Sequence, residues 1–231
     1  MTNLNGRTFA VTGASGNLGR AVAETLLRYG ASVLLLDRSA KPADAESDAV
    51  LHLGGLDLAD EIDVGRALDE GLARFGRLDG IVSTVGAFAM GGTAPGEGRA
   101  TWDAMLTANL MTAVAAAQAI VPRLPPGSGR IVTVGARPGM SGAAGIGAYS
   151  ASKAAVVRLT ESLSEEFKRK GVTVNAVLPH TIDTPQNREA MPGADHSRWV
   201  PPGDIAEVVA FLLSDAARSV TGALIPVYGR A

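Results

Sequence analysis

The chain has 231 residues, a formal net charge of −2, 46% hydrophobic and 19% charged residues, 28 glycines and no cysteine. That length fits one α/β domain around a single core, and so balanced a charge gives neither nucleic acid nor an anionic membrane a basic face to hold. Disulfides and thiolate metal sites are excluded; with no apolar run near the roughly 18 residues of a membrane span and no signal-peptide pattern at the start, the chain reads as cytoplasmic.

Short β-branched runs alternate with longer helical patterns. A strand at 7–11 leads through a Gly-rich turn into a helix ending at Gly30, a candidate C-cap. Strands follow at 32–36, ending in Asp37, and at 50–53; a helix then runs to about residue 75, before a strand at 80–84. A long Ala-rich helix spans roughly 101–121 and stops at Pro122, and Pro125-Pro126-Gly127 turns into a strand at 130–135. A helix from about 149 to 170 ends at Gly171; a strand at 172–178, a helix at 203–213 and a strand at 223–227 complete the order. Repeated βαβ units predict a single Rossmann-type α/β domain, a doubly wound, mainly parallel, seven-stranded sheet. Its cofactor half is about 1–135 and its catalytic and substrate half about 136–231. The stretch 179–202 is long for a connection and is expected to form a lid over a site.

Residues 12–19, Thr-Gly-Ala-Ser-Gly-Asn-Leu-Gly, fall where a phosphate-binding turn belongs. Gly13 and Gly16 let the backbone approach a pyrophosphate, with Ser15, Asn17 and Leu18 beside them where the helix N-terminus supplies N–H donors. Asn17 stands where many such loops have Gly; Asn tolerates positive φ better than other side chains. Asp37, about 20 residues on, can accept hydrogen bonds from the adenosine ribose and repel a 2′-phosphate, which favours NAD(H). Arg38 could instead pair with that phosphate, so NADP(H) stays open. Asp57 and Leu58 are candidate adenine contacts.

Tyr149 and Lys153 are spaced i, i+4 and project from one helix face. A phenol with a reference pKa near 10 is a poor acid/base group at neutral pH. A neighbouring ammonium should stabilise the phenolate and lower that value. Lys153 could also donate to a ribose.

With these residues in view, the chain resembles the short-chain dehydrogenase/reductase family over essentially its full length. The matching elements are the 12–19 turn, Asp57, Asn109, Tyr149-Ser150-Ala151-Ser152-Lys153, Asn175-Ala176-Val177-Leu178-Pro179, Thr184 and Thr221-Gly222. The resemblance implies a nicotinamide-dinucleotide oxidoreductase with a small-molecule substrate. It implies that Tyr149 donates a proton, that Asn109 holds a water in a relay to Lys153, and that Thr184 contacts the nicotinamide carboxamide. Val85, Gly86, Pro179 and Ile182 are implied as further cofactor contacts, and a homodimer or homotetramer is implied through the two long helices.

Three departures stand out. Ser83-Thr84-Val85-Gly86 replaces the family's Asn-Asn-Ala-Gly, His180 follows Pro179 in place of Gly, and Ala136 occupies the position of the catalytic Ser. The dihydropteridine reductase group of the family lacks that Ser. Similarity to the group extends through Val134-Gly135-Ala136-Arg137 and through Asp183-Thr184-Pro185, Asn187-Arg188, Met191-Pro192, Ala194-Asp195 and Trp199. This implies reduction of a quinonoid dihydropterin, with Phe88, Ala136 and Trp199 at the substrate. Asn109 departs from that group, which lacks the helix Asn. The alternatives are turnover of another small carbonyl or alcohol, and a non-catalytic dinucleotide-binding protein. His52 and His196 read as structural, His180 and Ser141 as candidates to compensate for the missing Ser, and no metal-ligand spacing is present.

Overall fold

Strands buried on both faces read as continuous apolar runs, as a parallel sheet covered by helices requires. β1 (Thr8–Thr12), β4 (Gly80–Ser83), β5 (Arg130–Val134) and β6 (Thr173–Pro179) are buried at every position. The computed structural model describes residues 2–39, 47–91 and 98–230. With β2 (Ser32–Leu36), β3 (Val50–Leu53) and β7 (Leu224–Val227), these strands form one seven-stranded sheet in the order β3-β2-β1-β4-β5-β6-β7. Every neighbouring pair is parallel. Thr12 lies opposite both Leu36 and Ser83, so the order reverses at β1 and opens a crevice at the carboxyl ends of β1 and β4.

Two apolar layers hold the sheet. On one face α1 (Asn17–Arg28) and α7 (Pro202–Leu213) set Val22, Leu26, Ile205 and Val209 against Phe9 and Val11. On the other, α2 (Glu61–Phe75) brings Val64 and Leu68 to Leu34, Ile81 and Ile131. Asp60 caps the start of α2 by accepting from Ile62 N–H, and Gly76 closes it in the left-handed region at φ 76°.

The helix expected at 101–121 is longer and is not continuous. It comprises α3 (Arg99–Met105), a π-helical turn (Leu106–Met111) and α4 (Thr112–Ile120). With its last turn this 99–123 run has a mean hydropathy of 1.6 over its most apolar window, long and apolar enough to cross a bilayer by length and composition. That corrects the expectation that no run reaches such a length. Half of the window is buried inside the fold, where Ala116 and Ile120 pack on the sheet.

α5 (Gly147–Phe167) starts before Tyr149, not at it. The 179–202 stretch carries its own structure, α6 (Pro185–Ala190) and a 3-10 turn at His196–Arg198. A parallel bridge between Ile182 and Val200 folds this lid on itself, and Asn17 Nδ2 donates to Gln186 Oε1 at 2.8 Å, joining α6 to the start of α1.

Phe9 sits fully buried in β1, between β2 and β4. Phe9→Ala is expected to cost about 3–5 kcal/mol, read as a lower urea midpoint at unchanged m-value.

Candidate active site

The crevice is built on tight backbone packing. Gly13 has φ +69°, and a Cβ on Gly19 would come within 2.3 Å of the Gly13 carbonyl oxygen, so the first turn of α1 lies directly on the loop. Gly16 begins α1 with no side-chain cap. The first N–H groups of the helix are therefore left for a ligand, with the positive end of the helix dipole behind them.

Asp37 does more for this loop than for its own exposed surroundings. Its buried carboxylate accepts from Ser15 N–H at 2.8 Å, Ser15 Oγ at 2.7 Å and Ser39 N–H at 2.9 Å. Burial raises its pKa, but the bonds from Ser15 and Ser39 outweigh that and hold it below the ordinary carboxylate value. The Ser39 side chain adds a further hydrogen bond, so the roughly four acceptor positions of the ionised group are engaged by the two serines. Asp37 is thus first a buttress of the Gly-rich loop, a role the sequence reading missed. Arg38 is exposed at the rim.

Gly13, Ser15, Gly16, Asp37, Arg38, Asp57, Leu58, Val85 and Gly86 line one cleft of about 810 Å³. Thr84, Ala108 and Thr112, unrecognised in the sequence, line it too. Thr84 Oγ1 donates to the Thr12 carbonyl at 2.7 Å, fastening β4 to β1 beneath the cleft. The cleft and its bare N–H groups fit an extended dinucleotide, and the close approach at Gly13 and Gly19 leaves the pyrophosphate end without side chains. Leu18 contributes only backbone there, since its side chain is in the core. Pro179, Ile182 and Thr184 lie at the end of β6 and in the lid; the Thr184 hydroxyl accepts from Asn187 N–H at 3.2 Å as the cap of α6.

At the chemical end, Lys153 is 4% exposed and its Nζ donates to the Val134 carbonyl at 2.9 Å. A Cβ on Gly86 would lie 3.1 Å from both Lys153 Nζ and Asn109 Oδ1, so glycine brings the cleft floor against the ammonium. Burial lowers Lys153 to about 8 and raises Tyr149 to about 12. The expected lowering of Tyr149 by Lys153 is therefore reversed here. Desolvation dominates the phenol, while the ammonium spends its hydrogen bond on β5. At neutral pH Tyr149 is a protonated donor. Phe88, 61% exposed, meets it edge-on with ring centroids 5.0 Å apart.

Asn109 lies in the π-helical turn, an irregularity frequent at functional sites. Its side chain is committed to protein. Nδ2 donates to the Ala87 carbonyl at 3.0 Å and to Ser152 Oγ at 2.9 Å, and Oδ1 accepts from Ala87 N–H at 2.8 Å. Ser152, given no role of its own in the sequence motif, passes the link on by donating to the Tyr149 carbonyl at 2.8 Å.

Ala136 is buried beyond the end of β5 in extended backbone. Trp199 is 9% exposed and lies in the lid, its ring tilted against His196 with centroids 4.3 Å apart. Ser141 is exposed, and His52 is buried in β3. Burial and the charge of Arg137 hold His180 below its ordinary value. No group of three or more potential metal ligands occurs among the described residues.

A site so arranged handles a dinucleotide at one end and a proton at the other, the division of labour of nicotinamide-linked oxidoreductases. Comparison with known proteins agrees. The family model described as short chain dehydrogenase matches residues 7–194. The 2-(S)-hydroxypropyl-CoM dehydrogenase 3 of Xanthobacter autotrophicus is 33% identical, over 98% of this chain and 96% of that protein. The 3-oxoacyl-[acyl-carrier-protein] reductase of Escherichia coli is 32% identical, over 98% of each. A short-chain dehydrogenase/reductase structure from Brucella melitensis, described as glucose/ribitol dehydrogenase, superposes with a TM-score of 0.84 at 30% identity, covering 100% of this chain and 98% of that one. The chain belongs to the short-chain dehydrogenase/reductase family and is an oxidoreductase of that type.

Asp37→Asn should weaken NADH binding at least tenfold in a fluorescence titration, because Ser15 loses its ionised acceptor. Since the folded-state pKa of Asp37 is depressed, its contribution to stability is full above the ordinary value of 3.8 and is lost as pH falls through the folded value. The gap in unfolding free energy between wild type and variant should narrow accordingly at acid pH.

Proposed function

We propose that the protein interconverts a small carbonyl compound and its alcohol with NAD(H), Tyr149 carrying the proton. The observation that carries this reading is a phenol held protonated one helical turn from a buried lysine, whose ammonium lies against Gly86 on the wall of a dinucleotide-sized cleft. When bound, a reduced nicotinamide supplies hydride chemistry there. The chain's own residues govern the proton. Tyr149 donates from Oη to the substrate oxygen, and desolvation makes the phenol the right partner for an oxygen gaining negative charge. Asn109 and Ser152 fix the backbone from which Tyr149 projects. Lys153, near 8, is close enough to neutrality to exchange its own proton as the phenol is restored. The ionised Asp37 beside the ribose end supports NAD(H) over NADP(H). The names of the Xanthobacter and Escherichia relatives, a dehydrogenase and a reductase, support a carbonyl–alcohol pair.

A second reading, reduction of a quinonoid dihydropterin, is favoured by Ala136 and by the exposed Phe88 ring against Tyr149. A conjugated, electron-poor ring needs no serine clamp on a lone carbonyl.

NADH oxidation followed with simple aldehydes and ketones and, separately, with quinonoid dihydropterin distinguishes the two. Turnover of the pterin alone transfers the assignment to the second reading; turnover of neither overturns both. Tyr149→Phe should lower kcat by roughly 10²–10⁴-fold, and wild-type rates in that variant would refute the proton donor. Because Tyr149 titrates near 12, reduction should persist through neutral pH, whereas alcohol oxidation, which needs the phenolate, should rise steadily with pH. Ala136→Ser should raise carbonyl reduction.

A further inference from the structure

Three adjacent strand ends gather a second group of side chains beside the reactive pair. Arg137 follows Ala136 beyond β5, His180 follows the last residue of β6, and Tyr228 follows the last residue of β7. The Arg137 guanidinium lies 5.6 Å from the centre of the Tyr228 ring, and the His180 ring meets the same ring edge-on at 6.3 Å. Tyr228 in turn packs with Val157 of α5 and Leu178 of β6. The turn carrying Arg137 is pressed onto α5 itself. A Cβ on Gly139 would come within 2.9 Å of the Lys153 carbonyl group.

The charge in this corner is unbalanced. Arg77, Arg123 and Arg188 each hold a carboxylate, but Arg137 pairs with none among the described residues. His180 shares its Nδ1 with Thr181 Oγ1 at 3.1 Å, and its Nε2 has no hydrogen-bond partner among the described residues. A fork of five donors held against an aromatic face matches a planar anion, and with Thr181 Oγ1 donating to Nδ1 the neutral His180 ring presents Nε2–H as a further donor. Neighbouring Ala136 offers nothing to orient a substrate.

We propose that Arg137, backed by Tyr228 and His180, binds a carboxylate on the substrate and so orients it in place of the missing serine. An anchor at the far end of the molecule fixes its approach to Tyr149 without touching the reacting oxygen. The proposal rests on the carbonyl–alcohol reading and adds to it the charge of the substrate.

The test compares 4-formylbenzoate with its methyl ester, NADH being the reductant, in wild type, Arg137→Gln and Arg137→Lys. Wild type should prefer the acid. The acid-to-ester ratio of kcat/KM should fall tenfold or more in Arg137→Gln, through KM for the acid at similar kcat, and Arg137→Lys should recover part of it. An unchanged ratio overturns the proposal and leaves carbonyl reduction standing. If neither aldehyde turns over, the carbonyl reading fails on its own, and calorimetric titration of benzoate into the full chain with excess NADH decides the anion site. Binding to wild type that weakens tenfold in Arg137→Gln supports it; no binding, or equal binding to both proteins, overturns it.

Discussion

An ammonium group removed from water is costly to keep unless something inside the protein receives its protons. Lys153 meets that requirement with the carbonyl of Val134 at the end of β5. The bond ties α5 to the sheet at the one level where the dinucleotide cleft, the phenol and the chain after β4 converge. Gly86 is needed there because any side chain would press on Lys153 and Asn109 together. Position 136 lies just beyond the same carbonyl. What a substrate meets at this end of the molecule is therefore set by how the lysine is buried.

The opposite end of the cleft depends on an anion in place of a cation. Asp37 is buried as a carboxylate because Ser15 and Ser39 each bring it hydrogen bonds from backbone and side chain. The Gly-rich loop is thus bound both to the end of β2 and to the residue that follows it, since Gly13 N–H also donates to the Leu36 carbonyl at 2.8 Å. The loop's shape precedes the ligand. Preformed geometry of this kind lets backbone donors face a phosphate without first being ordered, which lessens the entropy lost on binding.

Much of this architecture was legible in the residues. Continuous Val/Ile/Leu runs announced doubly covered parallel strands, and all seven fall within about two residues of where the pattern put them. The Gly-rich turn, Tyr149 and Lys153 stood out because their chemistry fixes their spacing. What escaped notice depends on tertiary partners that periodicity does not encode. The π-helical turn has no compositional mark in Leu106-Thr107-Ala108-Asn109-Leu110-Met111, and only the bonds from Asn109 to Ala87 and Ser152 explain it. The elevated phenol could not be read from an i, i+4 spacing, because spacing says that two groups are near and nothing about how dry they are. Trp199 could not be placed from its spacing alone, and only the fold shows its ring tilted against His196 within the lid.

The π-helical turn has one more consequence, which concerns insertion and deletion. A turn of this kind winds one extra residue into an otherwise regular helix, and each residue advances the helical face by about 100°. Deleting Leu110 or Met111 would let α3 and α4 join as one unbroken α-helix. Either the α3 side or the α4 side would then have to rotate by that step. Because α4 is held by its contacts with the sheet, the rotation would fall on the segment bearing Asn109 and Met105. The amide would swing away from Ala87 and Ser152, and the backbone beneath Tyr149 would lose its brace while the core stayed whole. In this part of the chain, length in single residues matters more to the chemistry than the identity of most side chains does.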